Sequence, residues 1–121
     1  GRYAAMYKPF HLIGLELNIS IMSAALRGEP TGQTRRFAGD VAAVAKRDLK
    51  AGEMLDGEGG YTVWGKLLPS ADSLARRALP IGLAHNVALV RDVTAGQIVA
   101  WDDVAARDNR TISIRRAMEA S

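Results

Sequence analysis

Apolar residues recur at spacings of three and four positions through residues 11–27. The positions that set this pattern are Leu12, Leu15, Ile19, Met22 and Leu26, and Ile13, Leu17 and Ile21 widen it. The spacing predicts a long N-terminal helix, because residues three and four apart share one helix face. Since apolar side chains occupy so much of its circumference, we expect burial on more than one side. Pro9 suits the start of this helix, and Gly28 and Pro30 suit its end.

After a polar connector at residues 28–40, the pattern changes to short runs rich in β-branched and aromatic residues. Such runs, separated by turns that contain glycine, predict strands. We expect strands at residues 41–47, 53–55, 61–69, 85–93 and 97–101. Residues 70–79 predict a short helix that is capped by Ser70 or Asp72 and stopped by Pro80.

The end of the chain continues the β pattern. Asp102 and Asp103 predict a turn or a single helical loop, and the RTISIRR sequence at residues 110–116 alternates polar and apolar side chains. Alternation with a period of two predicts a last strand at an edge or terminus. The final AMEAS predicts neither helix nor strand. The expected fold class is therefore mainly β with one long N-terminal helix.

Two nine-residue segments of the chain are nearly identical. RDLKAGEML occupies residues 47–55, and RDVTAGQIV occupies residues 91–99, which is 44 positions later. A glycine at the same place in each copy, Gly52 or Gly96, can supply the positive φ that a tight hairpin turn needs. We therefore expect each copy to form a self-contained strand–turn–strand unit, and the two copies together to form a pseudo-symmetric β module.

The aspartate of each copy has two interpretations. Asp48 and Asp92 could form a functional carboxylate pair, or each could cap its own turn by accepting hydrogen bonds from backbone N–H groups. Capping is favoured, because each aspartate stands inside a complete turn motif. Arg47 and Arg91 are interpreted in the same way, as solvated partners of the neighbouring aspartates.

Composition narrows the class of protein. The 121 residues suffice for one domain, and 48% hydrophobic and 24% charged residues are typical of globular chains. A net charge of +3 without long basic runs argues against nucleic acid or a membrane as a partner. The chain has no cysteine, which excludes disulfides and fits a reducing, cytoplasmic compartment. No signal peptide or transmembrane segment is predicted, and a start without an initiator Met predicts a piece of a longer polypeptide.

The repeat and the WDDV sequence that follows it resemble the SAF domain, a β-clip module, over residues 41–104. SAF domains occur in type III antifreeze proteins, sialic acid synthases, flagellar P-ring assembly chaperones and altronate-type dehydratases. The resemblance implies an SAF-type β-clip built on two related hairpins.

A wider resemblance covers nearly the whole chain. It rests on the segments MYKPFHLIGLE, SAALRGEPTG, AKRDLKAGEMLDGEGGYTVWGKLLP and LPIGLAHNVALVRDVTAGQIVAWDDV. These are similar to the C-terminal third of homoserine-dehydrogenase-like NAD(P)-dependent oxidoreductases, a group that includes 1-deoxy-D-xylulose-5-phosphate-reductoisomerase-like enzymes. The similarity implies the C-terminal helix and connector of a truncated catalytic domain at residues 1–37, an SAF-like domain at 38–108, and a terminal strand or tail at 109–121.

The same resemblance implies partners and a role. The missing nucleotide-binding and catalytic domains would belong to the same chain, NAD(P) would bind to the parent protein rather than to this segment, and the assembly would be a homo-oligomer. This segment would be non-catalytic and would support the active site or the subunit interface. The alternatives are a free-standing SAF-domain binding module, carbohydrate-handling or chaperone-like, and an ice-binding protein with a flat apolar face.

No residue is predicted to be catalytic, to bind a cofactor or to bind a metal. No G-x-G-x-x-G sequence follows a strand, and the GEGG at residues 57–60 has the wrong spacing for one. His11 and His85 stand far apart without a nearby acidic cluster, so no metal site is predicted.

Two stretches are predicted to bind substrate. In the first, Lys8 and His11 stand at the start of the long helix, where free N–H groups and the helix dipole attract phosphate or carboxylate. The alternative is a surface lysine and a capping or packed histidine. In the second, DGEGGYTVWGK, glycines allow close backbone approach, and Glu58, Tyr61 and Lys66 could line a ligand groove or a subunit contact. The alternative is a plain glycine turn between strands.

Overall fold

In a computed structural model that describes residues 2–120, the chain divides into two compact units, with the boundary after Arg35. Two residues lie outside the described part of the chain: Gly1, which begins the predicted range 1–37, and Ser121, which ends the predicted range 109–121. None of the described helices combines the length and the apolar character that a membrane crossing requires.

The first unit, residues 2–35, contains the helix that the apolar spacing predicts. Helix α1 spans Ile13–Met22 and passes directly into a π-helical turn, Ser23–Arg27, so the helical run begins two residues later than predicted. Gly28 ends it in the left-handed conformation with a φ of 66°, and the N–H of Glu29 donates to the carbonyl oxygen of Ser23 at 3.4 Å. Glycine suits this position because it has no Cβ to clash in that conformation.

The burial expected for this helix is not found in the described chain. No residue of α1 or of the π-helical turn is buried, and Ile13, Ile19 and Leu26 are 75%, 66% and 73% exposed. The reason is that periodicity records only which side chains share a helix face. Whether anything covers that face depends on other elements.

The second unit, residues 36–120, is a small mixed α/β domain. Its strands are β1 (Gly39–Ala45), β2 (Met54–Asp56), β3 (Val63–Pro69) and β4 (His85–Ala88). Its helical segments are α2 (Ser70–Ala75), two 3-10 turns (Ile81–Leu83 and Trp101–Asp103) and α3 (Arg110–Glu119). β1 pairs with β3 and β2 with β4, which makes two small antiparallel sheets.

The predicted fold class, mainly β with one long N-terminal helix, is confirmed only in part. In the described chain helical residues outnumber strand residues, and the segment predicted as a strand at residues 97–101 makes only isolated bridges at Ile98 and Ala100. The helical loop predicted at Asp102 and Asp103 is confirmed as part of a 3-10 turn.

The two repeats meet at an approximate two-fold arrangement centred on Leu49 and Val93. The N–H of Leu49 donates to the carbonyl oxygen of Val93 at 2.8 Å. In return, the N–H of Val93 donates to the carbonyl oxygen of Leu49 at 3.0 Å. Gly52 and Gly96 have the predicted positive φ, at 88° and 79°. The two turns are thus equivalent in backbone conformation as well as in sequence.

The repeats exchange their strands. The segment after each turn pairs with the segment that leads into the other copy, so that Met54 lies opposite Ala88 and Ile98 lies opposite Val44. The prediction of self-contained hairpins is therefore wrong, although the related turns are present. A local motif specifies the turn itself, in which the N–H of Glu53 donates to the carbonyl oxygen of Lys50 at 3.0 Å. The motif does not specify which strand the returning chain will join.

The core of this unit is aliphatic and is centred on the repeats. Its most deeply buried side chains include Leu49, Leu55, Val63, Leu79, Val93 and Val99. Residues 42–45 of β1 are buried one after another rather than alternately, because β1 is covered on both faces. Three of these four residues are alanines, whose small side chains let neighbouring segments approach closely.

α3 replaces the strand predicted at residues 110–116. Asn109 caps it, since its Oδ1 accepts a hydrogen bond from the N–H of Ile112 at 3.0 Å. Ile112 is buried in the core, whereas Ile114 is 60% exposed, so these two isoleucines do not share a buried face. The predicted strand is wrong because Ile112 and Arg115 are three apart, a spacing that fits a helix face.

A buried ion pair fastens α3 to β1. Arg115 donates from Nη1 to Oδ1 of Asp40 at 2.8 Å and from Nη2 to Oδ2 at 2.5 Å, and the Ser73 hydroxyl donates to Oδ2 at 2.5 Å. Burial alone would raise the pKa of Asp40, but the hydrogen bonds from Arg115 and Ser73 outweigh it and hold that pKa below its ordinary value. α2 therefore contributes Ser73. The cap predicted at Ser70 or Asp72 is wrong, because α2 starts at Ser70 without a side-chain cap.

Candidate functional site

Lys8 and His11 lie together at the start of α1, around the carboxylate of Glu16. The Lys8 ammonium donates to Oε1 of Glu16, and Nδ1 of His11 lies 3.3 Å from Oε2. The N–H of Leu12 also donates to Oε1, at 3.3 Å. Glu16 stands in the first turn of the helix, where the dipole favours a negative charge.

This geometry bears directly on the predicted anion site. The carboxylate of Glu16 already neutralises Lys8 and accepts from the helix N-terminus, so an anionic ligand would have to displace it. The structure thus brings the two predicted residues together, but around an acidic side chain that the sequence reasoning did not include. Binding of substrate by Lys8 and His11 stays a prediction.

The glycine-rich loop after β2 is organised by the carboxylate of Asp56. Its Oδ2 accepts from the N–H of Tyr61 at 2.6 Å, and its Oδ1 accepts from the N–H of Thr62 at 3.0 Å and from the Thr62 hydroxyl. Hydrogen bonds from Thr62 and Tyr61 hold the pKa of Asp56 well below its ordinary value. A Cβ at Gly60 would come within 2.2 Å of the Asp56 carboxyl carbon, which explains the glycine there.

The loop differs in two respects from the glycine-rich turn that binds a dinucleotide. Its amide N–H groups at Tyr61 and Thr62 are directed to the Asp56 carboxylate, and it leads into β3 rather than into a helix. The geometry is that of a turn fixed from inside by an aspartate.

Glu58 and Tyr61 do not border the groove that Lys66 lines. The Tyr61 side chain is 87% exposed, and Glu58 is an exposed residue of the loop. Lys66 lies on β3 and borders a groove of about 450 Å³ whose other walls come from Leu68, Arg76 and residues 96–98. Binding of substrate by these three residues also stays a prediction.

A larger cleft of the second unit than this groove lies elsewhere, between β4 and the start of α3. It has a volume of about 620 Å³ and is bordered by β4, by residues 105–107 and by the first turn of α3. Its polar side chains are His85, Asn86, Arg107, Asn109 and Thr111, and its apolar side chains include Met54, Leu83, Val87 and Ile112. Clefts of this size commonly hold small molecules.

His85 has a fixed orientation at the edge of this cleft. Its Nδ1 lies 3.0 Å from the backbone carbonyl oxygen of Asp56. A carbonyl oxygen only accepts hydrogen bonds, so Nδ1 is the donor in this contact. Gly57 lies against the ring, and a Cβ there would stand 3.0 Å from Nδ1.

Asn86, next to His85, adopts a backbone conformation that few residues other than glycine favour. Its φ is 55°, in the left-handed region, where asparagine is tolerated better than most side chains. This turn of the backbone occurs where β4 borders the cleft.

The two aspartates of the repeat are turn caps, but each caps the other copy. Asp92 Oδ1 accepts from the N–H of Ala51 at 2.9 Å, and Asp48 Oδ1 accepts from the N–H of Ala95 at 2.9 Å. Lys50 donates to Oδ2 of Asp92 at 2.7 Å, and this hydrogen bond, with that from Ala51, lowers the pKa of Asp92. The prediction that the carboxylates cap turns is therefore confirmed, but the prediction that each caps its own turn is wrong.

The neighbouring arginines make other contacts than predicted. Arg47 pairs with Glu53 at 2.7 Å, and Arg91 pairs with Asp103 at 2.9 Å, rather than each with the adjacent aspartate. Both arginines stand at bends of the chain, beyond the ends of β1 and β4.

Sequence reasoning missed most of the cleft. In the sequence His85 stands out only as a possible metal ligand, and no pattern singles out Asn86, Arg107 or Thr111. Asn109 at the helix start was a usable capping pattern, but nothing in the sequence indicates that three separate segments meet. Among residues 2–120, no group of three or more histidines and acidic residues is arranged to hold a metal ion.

Comparisons with known proteins add no family. The chain matches no protein-family model, and a search of curated proteins found no match. The similarity to SAF domains and to homoserine-dehydrogenase-like enzymes therefore stays a prediction from the sequence.

Proposed function

We propose that this chain is a non-catalytic C-terminal module of a homoserine-dehydrogenase-like NAD(P)-dependent oxidoreductase. In this proposal residues 38–108 form an SAF-type β-clip that supports the active site or the subunit interface. α1 belongs to the end of the catalytic domain, and the assembly is a cytoplasmic homo-oligomer.

The observation that carries the proposal is the uncovered apolar surface of α1. Its exposed side chains are Ile13, Leu15, Leu17, Ile19, Ile21 and Met22, each at least half exposed. Burying apolar surface stabilises a protein by about 25 cal/mol per Å², so a helix of this composition is favoured where another surface covers it. Preceding domains of the same polypeptide, together with a second copy, would supply that surface.

The second unit supports a structural role. Two ion pairs lie within the repeats, Lys50 with Asp92 and Arg47 with Glu53. The turn aspartates are engaged by backbone N–H groups of the opposite copy. Groups held in this way stabilise turns, which supports a structural role for this unit.

The test begins with the coding sequence upstream of residue 1. We expect an open frame that encodes a strand, a G-x-G-x-x-G turn and a helix. In the full-length protein, deletion of residues 38–108 should abolish oxidoreductase activity or assembly, while NAD(P)H binding to the remaining domains persists. A start codon at residue 1 would contradict the proposal.

A calorimetric titration provides an independent measurement. The 121-residue chain should bind neither NADH nor NADPH, and tight binding of either would contradict a non-catalytic role. Sedimentation should show self-association that disappears when residues 2–35 are removed, because the apolar helix is then absent. A chain that is strictly monomeric at high concentration would count against the oligomeric part.

A free-standing binding module is the second candidate, and the cleft beside His85 is the observation that favours it. A module without an enzyme would need a site of its own, and the cleft at β4 offers one. An upstream frame without a nucleotide-binding domain would favour this candidate over the first.

A further inference from the structure

The cleft between β4 and α3 has an uneven distribution of charge. Its polar walls contain one arginine, one histidine, two asparagines and one threonine, and none of the described residues that line it is acidic. The whole chain, by contrast, contains 13 aspartates and glutamates. Hydrogen-bond donors and one permanent positive charge therefore face the cleft without a lining carboxylate.

The charge comes from Arg107, which stands between β4 and α3. Asp108, the acidic residue that follows Arg107 in the sequence, does not line the cleft. A guanidinium presents several donors in a fixed plane and matches a carboxylate in two-point contact. The side chains of Asn86 and Thr111 add donors from two further segments.

The opposite part of the cleft is aliphatic. Met54, Leu83, Val87 and Ile112 contribute side chains of moderate size. A ligand that fills the cleft would therefore carry a charged end toward Arg107 and a branched aliphatic body toward these side chains.

We infer that this cleft binds a small carboxylate with an aliphatic body. Arg107 holds the carboxylate, with Asn86 and Thr111 as further donors, and Met54, Leu83 and Val87 contact the body. His85, held by the Asp56 carbonyl oxygen, defines the edge of the site. The inference concerns the cleft itself and applies equally to an accessory module and to a free-standing one.

The experiment is an NMR titration of the 121-residue chain with isovalerate. Isovaleramide, which has the same body without the charge, is the matched control. We expect amide shifts confined to residues 82–88 and 105–112 with isovalerate, and about tenfold weaker binding of isovaleramide because a charge-assisted contact is lost. Equal binding of the two probes, or shifts mainly outside these residues, would overturn the inference.

Variants test the assignment of residues. Arg107→Gln should weaken isovalerate binding about tenfold, whereas Arg76→Gln, in the other groove of the same unit, should leave it unchanged. Asn86→Gly keeps the left-handed backbone without strain and should weaken binding severalfold while the fold persists. If Arg107→Gln and Arg76→Gln bind alike, or inorganic phosphate binds where isovalerate does not, the carboxylate site is excluded.

Discussion

The two units of this protein use aliphatic residues in opposite ways. In residues 2–35 the aliphatic side chains follow a regular helical spacing and stay exposed, as Leu15 does at 68%. In residues 36–120 their spacing is irregular, yet Leu55 is fully buried. The difference shows that a regular local pattern fixes backbone conformation, while burial requires partners from distant parts of the chain.

Ion pairs show the same contrast. Arg27 and Glu29 are two residues apart and pair at the surface, with side chains 70% and 58% exposed. Arg115 and Asp40 are 75 residues apart and pair in the interior. A surface pair adds little to stability, whereas a buried pair becomes costly once one partner is lost.

The largest expected effect comes from breaking the buried pair. Arg115→Met leaves the Asp40 carboxylate buried without its cationic partner, and we expect the free energy of unfolding of the second unit to fall by about 3–5 kcal/mol. Urea denaturation followed by circular dichroism measures it. Glu29→Gln at the surface pair is the control and should cause no measurable change. A loss for Arg115→Met no larger than the control would show that the interior pair is not a structural link.

The second comparison uses one leucine from each unit. Leu55→Ala leaves a cavity in the aliphatic core and should lower the free energy of unfolding by about 2–5 kcal/mol. Leu15→Ala removes a side chain that is exposed in the described chain, so the same unfolding transition should be unchanged. Both values come from urea titrations of the 121-residue chain. Equal effects would mean that the two units bury these side chains alike.

Lowering the pH should reduce mainly the stability of the second unit. Folding lowers the pKa of Asp40 from its ordinary value of 3.8, so its ionised form stabilises the fold above that pH. This contribution is lost as the pH falls through the lowered pKa, and Asp56 and Asp92 follow the same sign. Unfolding free energy should be constant above about pH 5 and decline below about pH 4.

Urea titrations across this pH range measure the decline. Carbon-13 NMR of the Asp40 carboxyl group in the unaltered chain gives a readout that does not depend on a variant folding. An Asp40 carboxyl that titrates at or above 3.8 would contradict the prediction.

The smallest expected effect tests whether each aspartate caps the turn of the opposite copy. Asp48→Ala should expose the N–H of Ala95, in the opposite copy, to faster hydrogen exchange, while Ala51 in its own copy is unaffected. Asp92→Ala should do the reverse, because its partner is Ala51. Each variant should reduce stability only slightly, since both carboxylates are exposed. Faster exchange within the altered copy would show that each aspartate caps its own turn.

Much of the local structure could be predicted from the sequence. The helix at α1, its end at Gly28 and the positive φ of Gly52 and Gly96 all depend on residues close together in the chain. The last segment could not be assigned by alternation, because its buried residues are Ile112 and Arg115, which are three apart and fit helical spacing. The Asn109 cap distinguishes the two, and it was a local pattern that was available but not used.

The candidate site was less predictable than the fold. Lys8 and His11 are close in sequence and do lie together, but Glu16 stands between them and any anion. Glu58 and Tyr61 belong to the loop, while Lys66 borders another groove. The cleft beside His85 depends on β4, on residues 105–107 and on α3, and no local pattern indicates that these segments meet.

By itself the sequence determined the turns at Gly52 and Gly96, their equivalence in the two repeats, and helix α1. Each of these depends on conformational preferences and contacts within a few residues. Only the tertiary structure decided that the repeats exchange strands, that α3 is fastened by Arg115 to Asp40, and that a cleft forms beside His85. These features depend on contacts between residues far apart in the chain, whose free energy is gained only when the separate segments pack together.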